Sequence, residues 1–415
     1  MIEKYTAVEL VHVGLIFDKE KIQIGRLVTQ NRQIHFEYDK AFLEKGLEIS
    51  PYRFPVRSGI QSFDLNFFDG MPGVFHDSLP DGWGRLILDR ALRAKNIKPE
   101  NLTALDRLAH VGQTGMGALV YEPDYISTAN RNDRLDLDTL ATQAQNILKG
   151  ATTTVLEDLV ALNGSSAGAR PKAMIGVKID KSDIIHGIHD LPEAYEHWIV
   201  KFPNTTDGKD SGAIEYVYAQ MAKEAGVEMM DTYLFPSKTS PGYFSTKRFD
   251  RIKNRRLHLH TAAGLLHSNF RQPALDYKDL VKLTMFMTRD MTEVEKMFRL
   301  AVFNVLSHNR DDHGKNFSYL MNEKGKWSLS PAYDLIYSGG PGGEQSTMVA
   351  GEGRNPKLAH LLELAKEASI PVKKAKEIID QCRAALCRWK SLAKAAGVSK
   401  DRIAEIDQVL LEKLA

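Results

Sequence analysis

His308-Asn309-Arg310-Asp311-Asp312-His313-Gly314-Lys315-Asn316-Phe317-Ser318 (HNRDDHGKNFS) is the stretch of this 415-residue chain whose reading decides the fold. It follows a strongly amphipathic segment, Glu293 to Ser307, in which Leu300, Phe303, Val305 and Leu306 supply apolar surface. A capping-box pattern at Thr292 and Glu295 predicts where that helix starts. The helix should be anchored in the core and should deliver the polar segment as a loop at its C-terminal end.

Four residues separate Asp311 from Asn316. That is the spacing of the protein-kinase catalytic loop, where an aspartate takes the proton of the substrate hydroxyl and an asparagine holds magnesium. A hairpin is expected next, with strands Phe317 to Leu320 and Trp327 to Leu329 and a turn over Asn322 to Lys326. Beyond it Ser330-Pro331-Ala332-Tyr333-Asp334 puts a second aspartate where such a layout needs a metal ligand. Hard oxygen ligands suit magnesium on phosphates, while a separate carboxylate positions the attacking hydroxyl. Two blander readings compete: a capped, solvated loop, or a hydrolase metal cluster of His308, Asp311, Asp312 and His313. No zinc-type spacing supports the second.

Upstream, His197-Trp198-Ile199-Val200-Lys201-Phe202-Pro203 sets a lysine in an apolar, strand-favouring run. A lysine held there needs an anionic partner, such as nucleotide phosphate and a helix glutamate, unless it snorkels to water from an edge strand. The helix expected from Ser211 to Ala225 offers Glu215, which by position alone reads as a solvated face. Leu162 to Lys172 (LNGSSAGARPK) is a small-residue loop before a strand-like Ala173 to Ile179. Small residues let backbone N–H groups close on an anion, and Lys172 adds charge. Loop, strand lysine, helix glutamate, catalytic-type loop and second aspartate follow one another in the order of a phosphotransferase.

The remaining chain is ordinary for a globular protein, with 43% hydrophobic and 26% charged residues. Lys plus Arg number 55 and Asp plus Glu 53, so no global field argues for nucleic acid or an anionic membrane. Residues 5–38 alternate as a small antiparallel sheet. Ser78 to Arg85 (SLPDGWGR) feeds a helix over Leu86 to Arg93, and a second helix is expected near Leu102 to Ala109. The glycine cluster Val111 to Gly117 comes after a helix and before a strand, the reverse of a dinucleotide-binding turn, and reads as a structural turn. Polar residues 122–134 mark a boundary. Cys382 and Cys387 point about 140° apart around a helix, which disfavours a disulfide. Absence of a signal-peptide pattern or a long apolar run predicts a reduced, cytoplasmic protein.

Together these stretches resemble the HipA family of bacterial serine/threonine kinases, the toxins of HipBA-type toxin–antitoxin modules. The matching pieces are SLPDGWGR at 78–85, GSSAGARPK at 164–172, WIVKFP at 198–203, KRFDR at 247–251, DDHGKNFS at 311–318 and LSPAYDL at 329–335. The resemblance implies an α+β, two-lobed protein-kinase-like (HipA-like) fold. A β-rich subdomain would span 1–125, a kinase N-lobe-like segment 126–250, and a mainly helical C-lobe with the catalytic loop 251–415.

The resemblance further implies an ATP- and magnesium-dependent kinase with Asp311 as catalytic base and Asn316 and Asp334 as metal ligands. ATP would take Ala167, Gly168, Ala169, Arg170, Lys172, Lys201, Lys247, Arg248, Phe249, His313, Lys315 and Tyr333. Autophosphorylation would fall on Ser165, with Ser166 as the neighbouring candidate. Implied partners are a helix-turn-helix, HipB-like antitoxin, through which alone DNA is met, and a translation component, an aminoacyl-tRNA synthetase, as substrate; no membrane is implied. Asp312 stands beside Asp311, so the choice of base rests on the spacing to Asn316. The basic stretch Lys247 to Arg256 reads as a solvated, partly ATP-facing surface. A small-molecule phosphotransferase and a catalytically silent co-repressor scaffold are the alternatives.

Overall fold

The computed structural model of the protein describes residues 5–63, 68–126, 133–150, 156–163, 168–269 and 275–414. Contacts divide the chain into two units, one of Met1–Thr206, Thr246–His260 and Met321–Gly325, the other of Asp207–Ser245, Thr261–Leu320 and Lys326–Ala415.

The first unit opens with strands β1 (Leu10–Ile16), β2 (Lys21–Gln30) and β3 (Gln33–Tyr38), joined later by β4 (Ile60–Ser62) and β5 (Leu119–Glu122). They form an antiparallel sheet in the order β4-β3-β2-β1-β5. The alternation read from the sequence is realised on β3, where Ile34, Phe36 and Tyr38 are buried and the residues between them are not. Phe36 meets Tyr38, Phe54 and Phe75 at ring-centroid distances of 4.8, 5.4 and 4.9 Å, so an aromatic cluster fills this core. A second antiparallel group pairs β6 (Lys172–Lys178) with β7 (Ile184–His186) on one side and β8 (Tyr195–Lys201) on the other.

Two buried polar clusters brace this unit. Asp250 accepts from Arg248 Nη2 (2.8 Å) and Nε (2.9 Å), from Arg251 Nη1 (2.7 Å) and from the Gly117 amide (2.7 Å). Arg251 also donates to the Gly115 and Gly117 carbonyls. The glycine cluster is therefore a structural turn, as its helix-before-strand context predicted. The solvated reading of Lys247 to Arg256 is corrected at these positions: Arg248 and Arg251 are buried around one carboxylate, which desolvated guanidinium groups require. In the other cluster His260 donates from Nδ1 to Asp77 (2.7 Å), and the Ser50 hydroxyl donates to its Nε2 (2.9 Å). The order of groups is that of a hydrolase triad, but Ser50 and His260 have no exposed surface, so the array is a brace.

The second unit is mainly helical. Helix Met291–Leu306 is buried over nearly its whole length, from Glu293 and Val294 through Leu300 to Leu306. It packs against helices Tyr277–Thr288 and Val372–Leu386. Its start differs from the capping-box expectation: Asp290 is the cap, accepting from the Thr292 amide at 2.8 Å. Asp290 lies one position ahead of the first helical residue, where a short carboxylate reaches the second amide. The Gly82–Ala94 helix likewise begins earlier than the Leu86 expected, because Gly82, Trp83 and Gly84 are helical. Strands Ser318–Met321 and Trp327–Leu329 form the expected hairpin, turning where Gly325 donates to Asn322. Cys382 is buried, Cys387 is exposed, and both are free thiols. Among the described residues no helix is long and apolar enough to cross a membrane.

Candidate active site

The buried helix ends as its sequence predicts, with the polar loop at its C-terminus. Ser307 closes the last turn, and His308 takes a left-handed conformation (φ 56°) that redirects the chain. That position usually belongs to glycine. Here the imidazole is held by stacking on Tyr337, with ring centroids 5.4 Å apart. Burial, Arg310 and Lys413 push the His308 pKa down to about 4, so the ring is uncharged at neutral pH.

The two adjacent aspartates have separate fates. Asp312 is 1% exposed, and its carboxylate accepts from the Tyr277 hydroxyl (2.7 Å), Gln345 Nε2 (2.9 Å), the Ser346 amide (2.9 Å) and the Thr347 amide (3.2 Å). Burial raises its pKa to about 6, with those donors working in the opposite direction. The Asp311 side chain is 59% exposed, with His313 Nε2 4.0 Å from its carboxylate. Solvation and access suit a proton acceptor, whereas Asp312 is engaged on every side.

Asn316 donates its amide Nδ2 to the Asp311 carbonyl at 2.7 Å, leaving its amide oxygen as the atom that can bind a metal. Asp334 stands in the left-handed region, φ 56°, a conformation costly for a residue with a Cβ and concentrated at functional sites. Its neighbour Tyr333 is a brace: the hydroxyl donates to the Lys315 carbonyl and meets Ser318 Oγ, both at 2.6 Å. Lys315 is buried and His313 half-buried. An amide oxygen and a carboxylate are hard donors that fit magnesium completed by phosphate and water. Among the described residues no three His, Cys, Asp or Glu side chains gather as a metal cluster, which leaves the hydrolase-type reading without its ligand set.

The nucleotide-side residues belong to the first unit. Lys172 and Lys201 face each other in register across β6 and β8. Like charges at directly opposed positions are unfavourable unless anionic groups offset them. Lys172 is buried, and its ammonium lies within 2.7 Å of where a Gly168 Cβ would stand. The SLPDGWGR motif explains itself here. Gly82 is at φ 43°, and a Cβ on it would sit 2.5 Å from the Gly168 carbonyl oxygen. Trp83 donates its amide to that oxygen (3.0 Å), while Asp81 accepts the Gly168 amide (2.6 Å). A helix start is thus clamped onto the small-residue loop.

Other expected contacts are placed differently from a simple nucleotide-facing row. Ala169 is exposed and Arg170 half-buried. Lys247 pairs with Glu196 at 2.6 Å, Arg248 is engaged by Asp250, and Phe249 is half-buried. Glu215 is buried at 2% exposure, which overturns its reading as a solvated face. Ser165, Ser166 and Ala167 lie outside the described residues. Sequence reasoning missed Asp81, Tyr277 and Gln345 as supports. For Asp81 the signal was the adjacent pair of glycines; Tyr277 and Gln345 lie too far along the chain for any local pattern.

Comparisons with known proteins bear on the family and the fold. Residues 164–389 match the HipA-like C-terminal domain, and residues 18–122 match the HipA N-terminal domain. A protein of Sinorhizobium fredii named "Putative kinase Y4mE" is 26% identical over 415 residues, covering 90% of this chain and 84% of the relative. A second from that organism, "Putative kinase Y4dM", is 26% identical over 215 residues, covering 48% and 52%. HipA of Shewanella oneidensis MR-1, solved in a toxin–antitoxin complex with HipB and operator DNA, superposes with a TM-score of 0.68 at 16% identity. That match covers 97% of this chain and 96% of the other, and it shows an α+β HipA-like fold. With the HipA-like C-terminal domain spanning more than half of its residues, the chain belongs to the HipA family.

Proposed function

We propose that the protein is an ATP- and magnesium-dependent serine/threonine-protein kinase. The observation that carries this reading is the division of labour between Asp311 and Asp312. One carboxylate is exposed at the end of a buried helix, and the next is committed to holding the loop. Asp311 accepts the proton of the attacking hydroxyl as that oxygen bonds to the terminal phosphorus and ADP departs. Asn316 and Asp334 are the residues that would hold magnesium, which would supply charge neutralisation on the phosphates. Lys172 and Lys201 bind phosphate, and the loop clamped by Asp81 and Trp83 presents its backbone close by. Ala167, Gly168, Ala169, Arg170, Lys247, Arg248 and Phe249 contribute to the nucleotide side, with His313, Lys315 and Tyr333 on the catalytic side.

In the cell this kinase acts as the toxin of a type II toxin–antitoxin system, and a helix-turn-helix antitoxin of the HipB kind neutralises it. The HipA relative solved with HipB and operator DNA supports that partnership. A formal charge of only +2 supports DNA contact through the antitoxin. The target is a translation component such as an aminoacyl-tRNA synthetase, and Ser165 (or Ser166) is the site of autophosphorylation, in the cytoplasm.

The test is incubation of the purified chain with labelled ATP and magnesium, beside Asp311→Asn, followed by mass spectrometry. Label on the Ser165/Ser166 loop that is absent in the variant is the expected result. Label equal in both proteins would remove Asp311 from its role. ATP binding without label in either would turn the reading to a silent scaffold.

A further inference from the structure

Arg310 stands one residue ahead of Asp311 and grips the segment beyond Asp334 with both its main chain and its side chain. Its carbonyl accepts the Ser346 amide (3.1 Å) and hydroxyl (2.8 Å). Its guanidinium donates from Nη1 to the Gly343 carbonyl and from Nη2 to that of Arg354 (2.9 Å). Gly340 closes on it from the same segment: at φ 70°, a Cβ there would lie 2.6 Å from the Arg310 Cβ and 2.1 Å from the Glu344 carbonyl oxygen. All of these residues belong to the second unit. We infer that Arg310 is a positioning residue for phosphoryl transfer, its guanidinium locking residues 338–354 onto the catalytic loop and so fixing the place of Asp311. The inference deepens the reading of Asp311 as the general base and rests on it.

The partners of Arg310 set it apart. The buried arginines Arg107, Arg248 and Arg251 each answer a carboxylate, Asp89 for the first and Asp250 for the other two. Among the described residues no carboxylate pairs with Arg310. The two whose charge it feels are committed elsewhere, Glu344 to Arg354 at 3.2 Å and Asp312 to Tyr277, Gln345 and Ser346. Its Nε is buried with no acceptor among the described residues. Burial pushes its pKa down, so holding the charge there is unfavourable in itself. What the charge obtains is two main-chain carbonyls that lie well apart along the segment. A planar fork takes both at once, whereas an ammonium is a point donor on a flexible stem.

The segment held in this way touches the loop on both sides of Asp311. Ser338 donates its amide to the His308 carbonyl (3.1 Å), Gln345 Nε2 donates to that of Asn309 (3.2 Å), and the Thr347 hydroxyl donates to that of Asp312. Main chain is thus fixed at 308, 309, 310 and 312. The Asp311 side chain is 59% exposed and takes its position from that backbone. A shift of about 1 Å at a reacting group lowers rate on the order of 10²-fold, so a loosened segment should be read in turnover and not in nucleotide affinity.

The test uses the full chain as wild type, Arg310→Ala, Arg310→Lys and Gly340→Ala, with labelled ATP and magnesium, and follows self-labelling by mass spectrometry. At saturating ATP, Arg310→Ala should label about 30-fold more slowly or worse and Arg310→Lys nearly as slowly, with magnesium–ATP affinity by calorimetry unchanged. Gly340→Ala, which leaves the guanidinium in place and displaces the segment, should reproduce the loss. Added methylguanidinium should restore part of the rate to Arg310→Ala and none to Asp311→Asn. Hydrogen exchange at the Ser338 and Ser346 amides should quicken about tenfold in Arg310→Ala, while helix Met291–Leu306 keeps its protection. Labelling by Arg310→Ala at the wild-type rate would overturn the inference. An equal loss of rate and ATP affinity, or lost protection along the helix with no rescue, would make Arg310 a structural residue and overturn it too. A wild type that transfers no label, or transfer that survives Asp311→Asn, would instead bring down the underlying reading, and this inference with it.

Discussion

The Tyr277 hydroxyl donates to the Asp312 carboxylate across 2.7 Å, tying the first turn of one helix to the residue beside the candidate base. Tyr277 also accepts from Asn304 at 2.9 Å, and Asn304 in turn accepts from Asn309 at 3.0 Å. The buried helix and the loop that follows it are thus joined by a continuous polar network. Buried networks of this kind are rigid and tolerate partial loss badly. That rigidity is what presents Asp311 to solvent in one place.

Asp311→Asn should therefore reduce phosphoryl transfer by about 10²–10⁴-fold while leaving the thermal midpoint almost unchanged, because the side chain is exposed and its proton chemistry alone is removed. Asp312→Asn should do the opposite in stability, lowering the midpoint by several degrees, since an amide presents N–H groups to donors. Steady-state kinetics and calorimetry on the pair check this, and a reversed pattern would exchange the two roles.

Asp312 should also leave a pH signature. Its folded-state pKa is raised to about 6 from an ordinary value near 3.8, so the native state binds its proton more tightly than the unfolded state. The stabilisation from this group is complete below the unfolded pKa and is lost as pH rises through about 6. Denaturant melts of wild type and Asp312→Asn between pH 4 and 7 should show the wild-type advantage shrinking by up to ~3 kcal/mol as pH increases. A constant difference would contradict the shift.

Asp250→Ala should be among the most destabilising single changes, at about 3–5 kcal/mol, because it strands two buried guanidinium groups. Those neighbours hold the Asp250 carboxyl well below the usual carboxylate range despite its burial. Its contribution is thus present above the unfolded pKa and lost only as pH falls to strong acid. Chemical denaturation at pH 7 measures the loss, and a change under 1 kcal/mol would show that the cluster relaxes.

His260→Ala should cost about 2–4 kcal/mol without affecting ATP affinity, since Ser50 and Asp77 lose their shared partner inside the core. A serine-reactive fluorophosphonate should not label Ser50 in the native protein. Rapid labelling would mean that the buried triad opens to solvent.

Asp334→Ala should weaken magnesium–ATP binding by about tenfold or more, which is ~1.4 kcal/mol or above. It should also relieve left-handed strain little, because alanine keeps the Cβ; Asp334→Gly separates the two effects by raising stability while still losing the metal. Titration calorimetry with and without magnesium reads both variants.

Much of this arrangement was legible from local sequence. Period-two alternation in residues 33–38, the apolar face ahead of Ser307 and the Asp311–Asn316 spacing each depend on neighbours within a few positions, and the strand, helix and loop appear where those patterns put them. The capping residue was misread by two positions because Thr292 and Asp290 are both competent caps, and which one ends the helix depends on how the preceding turn packs. The burial of Arg248, Arg251 and Glu215 was hidden for a deeper reason. The arginines' counter-charge, Asp250, stands beside them in the sequence, but the surface that buries them, with the Gly115 and Gly117 carbonyls that Arg251 donates to, comes from more than 130 residues earlier.

By itself, then, the sequence determined the helix–loop–hairpin order, the residues able to take a proton or bind magnesium, and the family they resemble. Tertiary structure alone decided which of two adjacent aspartates remains exposed. Asp311 and Asp312 are chemically identical and adjacent, and only packing against Tyr277 and the Gln345–Thr347 segment distinguishes them. Those partners lie more than thirty residues away in either direction, so the distinction exists only once the chain has folded and the buried carboxylate has collected its donors.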